Sequence, residues 1–296
     1  MNFGDFGMDT ASLAGSLEGK LAAVRQAGFS QVMISAADVV GHPLGMVAGA
    51  RAIRESGLRV TGFEALRDFE GLAGQLHAYK VDVAKTMLTV CQELGGRLLL
   101  VEASTSSHAD TSADAIARDL HKLAMLAIPL GIRIAFKALS WSRTANKLMS
   151  ASDVVFRADC PNLGLAIDSF DMLATQTPLD EVDLLDPQQV FLVQLSDYMW
   201  NEMPSPAEQA ATATHFRVFP GEGAHSDRLA NLVTRLDKIG YRGDYSFDVY
   251  NDDYRQMPPE VVANRARQAA EWLGETVLRR ALPVPHMERL RAARPG

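Results

Sequence analysis

SADAIARDLHKLAMLAIPLGIRIAFKAL, residues 112–139, holds one complete unit of the fold. Its first part carries apolar residues at helical spacing, and Gly131 stops the pattern. Ile132, Ile134, Ala135 and Phe136, around the single Arg133, then read as a short buried strand. Lys137 follows, which sets an ammonium group at the tip of an otherwise dry strand.

The same order of helix, glycine and strand recurs along the chain. Short apolar runs at 3–8, 31–35, 59–66, 97–103, 133–139, 163–170, 190–197 and 244–251 read as eight strands. Amphipathic segments at 17–28, 45–57, 82–96, 112–131 and 227–240 read as helices between them. Strands alternating with helices imply parallel pairing with right-handed crossovers. Eight units in a chain of 296 residues predict a single-domain α/β fold, the (β/α)8 TIM barrel, over residues 1–278. A doubly wound open sheet calls for a glycine-rich turn after its first strand, and DTASLAGSLEGK (9–20) is not one. The Pro-rich, basic stretch 279–296 reads as a C-terminal tail and a candidate surface for a homo-oligomer.

Composition narrows the partners. The chain is 47% hydrophobic with a formal charge of −7 and no basic run, which argues against nucleic acid. No apolar run approaches the roughly 20 residues that span a bilayer. Acidic residues in MNFGDFGMDTASLAG (1–15) do not suit a signal peptide. Cys91 and Cys160 lie far apart, outside any CxxC or Cys/His pattern. The expectation is a cytoplasmic protein with a small-molecule substrate and no membrane partner.

In such a barrel the functional groups gather at the carboxyl ends of the strands. Here the run ends carry Glu64, Glu102, Lys137, Asp168, Gln194 and Asp248. Any one of them alone fits a helix cap or a satisfied core polar group; six on one face point to a site. HFRVFPGEG (215–223) offers Arg217 as a rigid fork for an anion, and GFEALRDFEG (62–71) offers Arg67 as a second. Each also fits a solvated turn residue.

RVFPGEG, VQLSD, LGLAIDSFDML, LRDFEG and FDVYNDDYRQMP together resemble the xylose isomerase-like TIM-barrel superfamily of sugar isomerases and epimerases. Within it they look most like the bacterial 3-dehydroshikimate dehydratases, from about residue 3 to about residue 275. The resemblance implies a divalent metal (Mg, Mn or Co) on four ligands from strands five to eight. Asp168 and Gln194 match two of those ligands, Asp248 stands for a Glu one methylene longer, and Lys137 stands where the strand-five Glu is expected. Asp171 stands for a His that follows the strand-six Asp, and Arg217 is the Arg of the RxxPGxG loop. A protonated ammonium has no lone pair to ligate a metal and repels a cation. If a metal is retained, its ligands are Asp168, Gln194 and Asp248. Otherwise Lys137 supplies the positive charge, held by Asp168 and Asp248.

The reaction implied is that of a lyase or isomerase on a small polyhydroxylated keto acid or sugar-like ketone. A proton leaves the carbon beside a carbonyl, and the resulting enolate needs a positive partner. Lys137 is the candidate for that partner as a cation; imine formation needs a lowered pKa, which neighbouring carboxylates oppose. Asp248 or Glu102 is the candidate base. Arg67, Arg217 and Asp171 are candidate substrate-binding groups, and Trp141, Trp200 and Tyr250 candidate cavity walls. The alternative is a non-catalytic barrel that binds a ligand or partner and has lost the metal site. A binuclear phosphoesterase of the endonuclease-IV type ranks last, because the seven His are scattered in the sequence.

Overall fold

The structure is a computed structural model and describes residues 3–279. Eight parallel strands close into one barrel in sequence order: β1 (Phe6–Asp9), β2 (Gln31–Ser35), β3 (Arg59–Arg67), β4 (Leu98–Glu102), β5 (Arg133–Lys137), β6 (Leu163–Asp168), β7 (Val190–Leu195) and β8 (Asp244–Phe247). Ten α-helices surround them: α1 (Leu17–Gln26), α2 (Ala36–Val40), α3 (Met46–Ser56), α4 (Gly74–Glu93), α5 (Ala113–Ala127), α6 (Leu148–Ala158), α7 (Ser169–Ala174), α8 (Pro206–His215), α9 (Ser226–Ile239) and α10 (Pro259–Glu271). The expected (β/α)8 barrel and its single domain are what the chain forms. The proposed tail lies outside the described residues, apart from Arg279.

In α5 the buried residues Ala115, Ile116, Ala117, Leu120, Leu123, Ala124 and Ala127 form one stripe against the sheet. Gly131 takes φ 65°, a left-handed turn that costs glycine little, and the chain re-enters as β5. The helix expected at 82–96 begins at Gly74, eight residues earlier. α2, α6, α7 and α8 fall between the expected helices, and α10 follows the last of them. α10 opens on two prolines, and α8 is fixed by a capping box between Ser205 and Glu208.

Successive strand residues point alternately into the barrel and out toward the helices. Outward-facing Ile134 and Phe136 join the large core shared with the helices. Met33, Leu98, Leu100, Ala135, Ala166 and Leu192, with Phe191, form a separate small cluster inside the barrel. Two residues beyond Leu100, Ala135, Ala166 and Leu192 stand Glu102, Lys137, Asp168 and Gln194. The pleat therefore aims all four into the barrel mouth. Register aligns them in neighbours: Glu102 opposite Lys137, and Asp168 opposite Gln194.

Candidate active site

Lys137 is the hub of the barrel mouth and is 1% exposed. Its Nζ donates to Gln194 Oε1 at 2.9 Å and to Asp168 Oδ2 at 3.4 Å. Glu102 Oε1 lies 3.1 Å away and Asp248 Oδ2 3.8 Å away. Burial works against the charged ammonium, but Glu102, Asp168 and Asp248 outweigh it and raise the lysine pKa. The amine therefore stays a cation, and the strand-end ammonium is dry of water yet ringed by acceptors. An imine at this position is disfavoured by the same balance.

Arg217 closes the opposite side. Its Nη1 donates to Asp168 Oδ2 at 3.0 Å, to Asp248 Oδ2 at 3.2 Å and to Ser196 Oγ at 3.2 Å. Its guanidinium lies 4.4 Å from the centroid of the Phe170 ring. The PGEG turn that follows is fixed by a close approach: a Cβ on Gly223 would fall 2.3 Å from the Asp197 carboxyl carbon. Arg67 Nε meets Glu102 Oε2 at 2.6 Å. Burial alone would raise the Glu102 carboxyl, but the Lys137 and Arg67 cations together hold it at about 2. Burial likewise opposes ionised Asp168, and Arg217 with Lys137 overcomes it and lowers its pKa.

A second, acidic half adjoins this one through Gln194. Its Nε2 donates to Asp9 Oδ2 at 2.6 Å and to Glu64 Oε2 at 3.3 Å, while its carbonyl faces Lys137. Ser246 Oγ donates to Asp9 Oδ1. Burial, with the Asp248 charge nearby, pushes Asp9 up to about 8. Burial and the Asp9 and Asp248 charges push Glu64 well above the carboxylate range. Asp248 is raised too, chiefly by burial, although Arg217 and Lys137 pull the other way. Six carboxyls (Asp9, Glu64, Glu102, Asp168, Asp171, Asp248) thus share three cations (Arg67, Lys137, Arg217). Burial first, and then this deficit in positive charge, favours the protonated forms in the acidic half.

A cavity of about 550 Å³ opens above this cluster. Glu64, Glu102, Asp248, Arg67, Arg217, Tyr250 and Trp141 line it, as does the Lys20–Asp38 pair, which meets at 2.7 Å. Lys137, Asp168 and Gln194 are not in its wall; they lie beneath it and support the carboxylates that are. Lys137 therefore reaches a bound molecule only through Glu102 and Asp248. Asp171 also stands aside. Its Oδ1 accepts from Ser140 N at 2.7 Å behind Asp168, and burial with the Asp168 charge pushes it up to about 7. Trp200 packs edge-on against Phe216, with centroids 5.6 Å apart, away from the cavity. Asp9 was hidden in the sequence because the first apolar run reads as ending at Met8, one residue short of the strand tip. Glu64 was visible as a strand end, but nothing in its own segment marks it as a proton holder.

The divalent metal implied by the resemblance does not fit at residues 137, 168, 194 and 248. The ammonium nitrogen already occupies the point on which Glu102, Asp168, Gln194 and Asp248 converge, within 2.9–3.8 Å of each. Asp9, Glu64 and Asp248 do bring one oxygen each within 4.8 Å of one another. Their raised proton affinities equally suit a cluster of acids that shares protons.

A closed (β/α)8 barrel with an ionisable cluster at its strand tips defines a class whose chemistry is carried by the barrel mouth. Within that class, the profile of the xylose isomerase-like TIM barrel family matches residues 21–276, and the chain belongs to that family. It is 32% identical over 290 residues to a 3-dehydroshikimate dehydratase of Pseudomonas aeruginosa, covering 97% of this chain and 45% of that protein. It is 26% identical over 197 residues to an inosose isomerase of Bacillus licheniformis, covering 65% of this chain and 68% of that one. The solved structure of a xylose isomerase-like TIM barrel/4-hydroxyphenylpyruvate dioxygenase fusion protein superposes with a TM-score of 0.86 at 28% identity, over 99% of this chain and 45% of that one. A structure solved with a bound zinc atom shares the fold at a TM-score of 0.80 and 19% identity, over 94% of this chain and 99% of that one. The chain thus spans under half the length of the two Pseudomonas dehydratases it matches, 45% and 38%. Among the described residues no helix is long and apolar enough to cross a membrane.

Proposed function

We propose that the chain is a lyase of the 3-dehydroshikimate dehydratase kind, acting on a small polyhydroxylated ketone by proton abstraction beside the carbonyl. Support comes from the dehydratase and isomerase relatives and from one feature of the cavity: its carboxyls differ sharply in proton affinity. Glu102 is held ionised between two cations, while Glu64 and Asp248 are raised and each keeps a buried oxygen without a hydrogen-bond partner.

In this reading Asp248, with Oδ1 free, takes the proton from the carbon beside the ketone. The C–H electron pair moves into the enolate. The enolate then collapses and expels hydroxide from the β-carbon, and Glu64 protonates it as it leaves, so the products are water and the unsaturated ketone, which from 3-dehydroshikimate enolises to an aromatic catechol. Glu102 is a poorer base than Asp248, because Lys137 and Arg67 stabilise its ionised form. Arg67, Arg217 and the underlying Lys137 place positive charge around the developing enolate. In the metal-dependent relatives that the resemblance implies, this charge comes from an ion; here the lysine stands in its place and no step passes through a metal. Tyr250, kept neutral chiefly by burial and then by the charges of Glu64, Asp248 and Glu102, and Trp141 wall the cavity.

The complete pairing of Lys137 favours one second reading, a barrel that binds its ligand without turnover. Incubating the purified chain with 3-dehydroshikimate and following the ultraviolet band of an aromatic product separates the two. Turnover lost on Asp248→Asn supports the lyase. Saturable binding with no turnover supports the binding barrel.

A further inference from the structure

Four cations line the cavity: Lys20, Arg67, Arg217 and Arg255. Three are committed. Lys20 pairs with Asp38, Arg67 with Glu102, and Arg217 with Asp168 and Asp248. Arg255 differs: among the described residues no carboxylate lies within ion-pair distance of it. Its guanidinium lies 5.7 Å from the centroid of the Tyr250 ring, at the exposed rim of the cavity. Its backbone is held in place, since Arg255 N donates to Asn251 O at 3.1 Å. Asn251 Nδ2 in turn donates to Arg217 O at 2.8 Å, tying the rim to the loop below.

We propose that Arg255 is the anchor for a carboxylate on the substrate, so that the cavity selects a keto acid over a neutral polyhydroxylated ketone. The inference rests on the lyase reading above and deepens it by naming the substrate's charge and orientation. The cations at the cavity floor are already paired with Glu102, Asp168 and Asp248, so the floor offers a carboxylate no unspent charge and suits a ketone and hydroxyls. A negative group on the substrate belongs at the far end, at the rim. There Arg255 offers a planar fork that is not already spent on a protein carboxylate, and the Tyr250 face restricts its swing. Arg67 and Arg217, the two anion clamps the sequence suggests, already spend their nearest donors on Glu102, Asp168 and Asp248. A neutral inosose-like ketone would gain nothing from Arg255. Anchoring at the rim fixes the reacting carbons over Glu64 and Asp248, so Arg255 is a positioning residue and not a catalytic one.

The test uses the full chain and its Arg255→Met and Arg255→Lys variants. With 3-dehydroshikimate, Arg255→Met raises KM by about tenfold or more while kcat changes little, and Arg255→Lys falls between. The wild-type KM rises with ionic strength and the Arg255→Met KM does so less. Independently of turnover, calorimetry compares 3,4-dihydroxybenzoate with 3,4-dihydroxybenzamide. The wild type prefers the acid, and Arg255→Met binds the two alike. An unchanged KM in Arg255→Met overturns the anchor, as does equal wild-type binding of acid and amide, or failure of both to bind. Absence of wild-type turnover defeats the lyase reading and leaves the acid–amide pair to decide on Arg255.

Discussion

Lys137 Nζ and Gln194 Oε1 meet at 2.9 Å across the tips of β5 and β7, and this contact divides the barrel mouth into a cationic and an acidic half. The glutamine carbonyl faces the ammonium, and its amide faces Asp9 and Glu64. A carboxylate at 194 would blur this division, and so would a neutral residue at 137. Removing the lysine leaves Glu102, Asp168 and Asp248 buried against Arg67 and Arg217 alone. Loss of one partner from a buried ion-pair network costs about 3–5 kcal/mol. Lys137→Met is therefore expected to lower the urea midpoint markedly at pH 7 while leaving the strand register intact. A variant as stable as the wild type would mean that the ammonium is not the hub.

Lys137→Glu makes the opposite change. It restores a carboxylate at the convergence of Glu102, Asp168, Gln194 and Asp248, an oxygen-rich set suited to a hard divalent cation. The wild type is expected to keep its activity after exhaustive chelation, whereas Lys137→Glu takes up about one divalent ion per chain and is stabilised by it. Elemental analysis and thermal shifts with added Mn or Mg read this directly. Loss of wild-type activity on chelation, restored by metal, would overturn the substitution of lysine for ion.

The barrel was legible in the sequence because each strand is a short apolar run closed by a polar tip. The alternation that places Ala135 and Lys137 on one face needs nothing beyond the pleat. The ring at Glu102, Lys137, Asp168, Gln194 and Asp248 follows from it. Two features were not legible. Asp9 joins the ring only through pairing of β1 with β8, where Met8 sits opposite Phe247. The layering that drops Lys137 below the cavity depends on side-chain directions in three dimensions. Arg67 and Arg217 read as free clamps in the sequence for the same reason, since Glu102 and Asp248 are distant from them along the chain.

If Asp248 is the base and Glu64 the acid, as proposed, their variants differ in pH dependence. Asp248→Asn should lower kcat by about 10²–10⁴ and remove the acidic limb of the rate profile, because that limb reports the proton Asp248 must lose. Glu64→Gln should lower kcat similarly and remove the alkaline limb, because Glu64 must keep its proton. Both raised pKa values place the active window above the ordinary carboxylate range. Retention of both limbs in Asp248→Asn would reassign the base.

Asp9 and Glu102 push stability in opposite directions with pH. Glu102 has a folded pKa of about 2 against 4.5 unfolded, so its contribution is complete above 4.5 and fades as pH falls toward 2. Asp9 has a folded pKa of about 8 against 3.8 unfolded, so between those values the folded chain holds a proton that the unfolded chain releases. Stability then falls as pH rises through that window, at up to about 1.4 kcal/mol per pH unit for each proton held. Asp171, at about 7, adds to the same slope. The chain is therefore expected to be most stable near pH 4, where these opposing slopes cancel, and to lose stability from there toward pH 8. Asp9→Asn keeps an acceptor for Gln194 and turns its amide toward Ser246, whose hydroxyl can accept. This variant should flatten the decline and be more stable than the wild type at pH 8. Urea titrations from pH 4 to pH 9 measure both curves, and a decline equally steep in Asp9→Asn would place the retained proton elsewhere in the cluster.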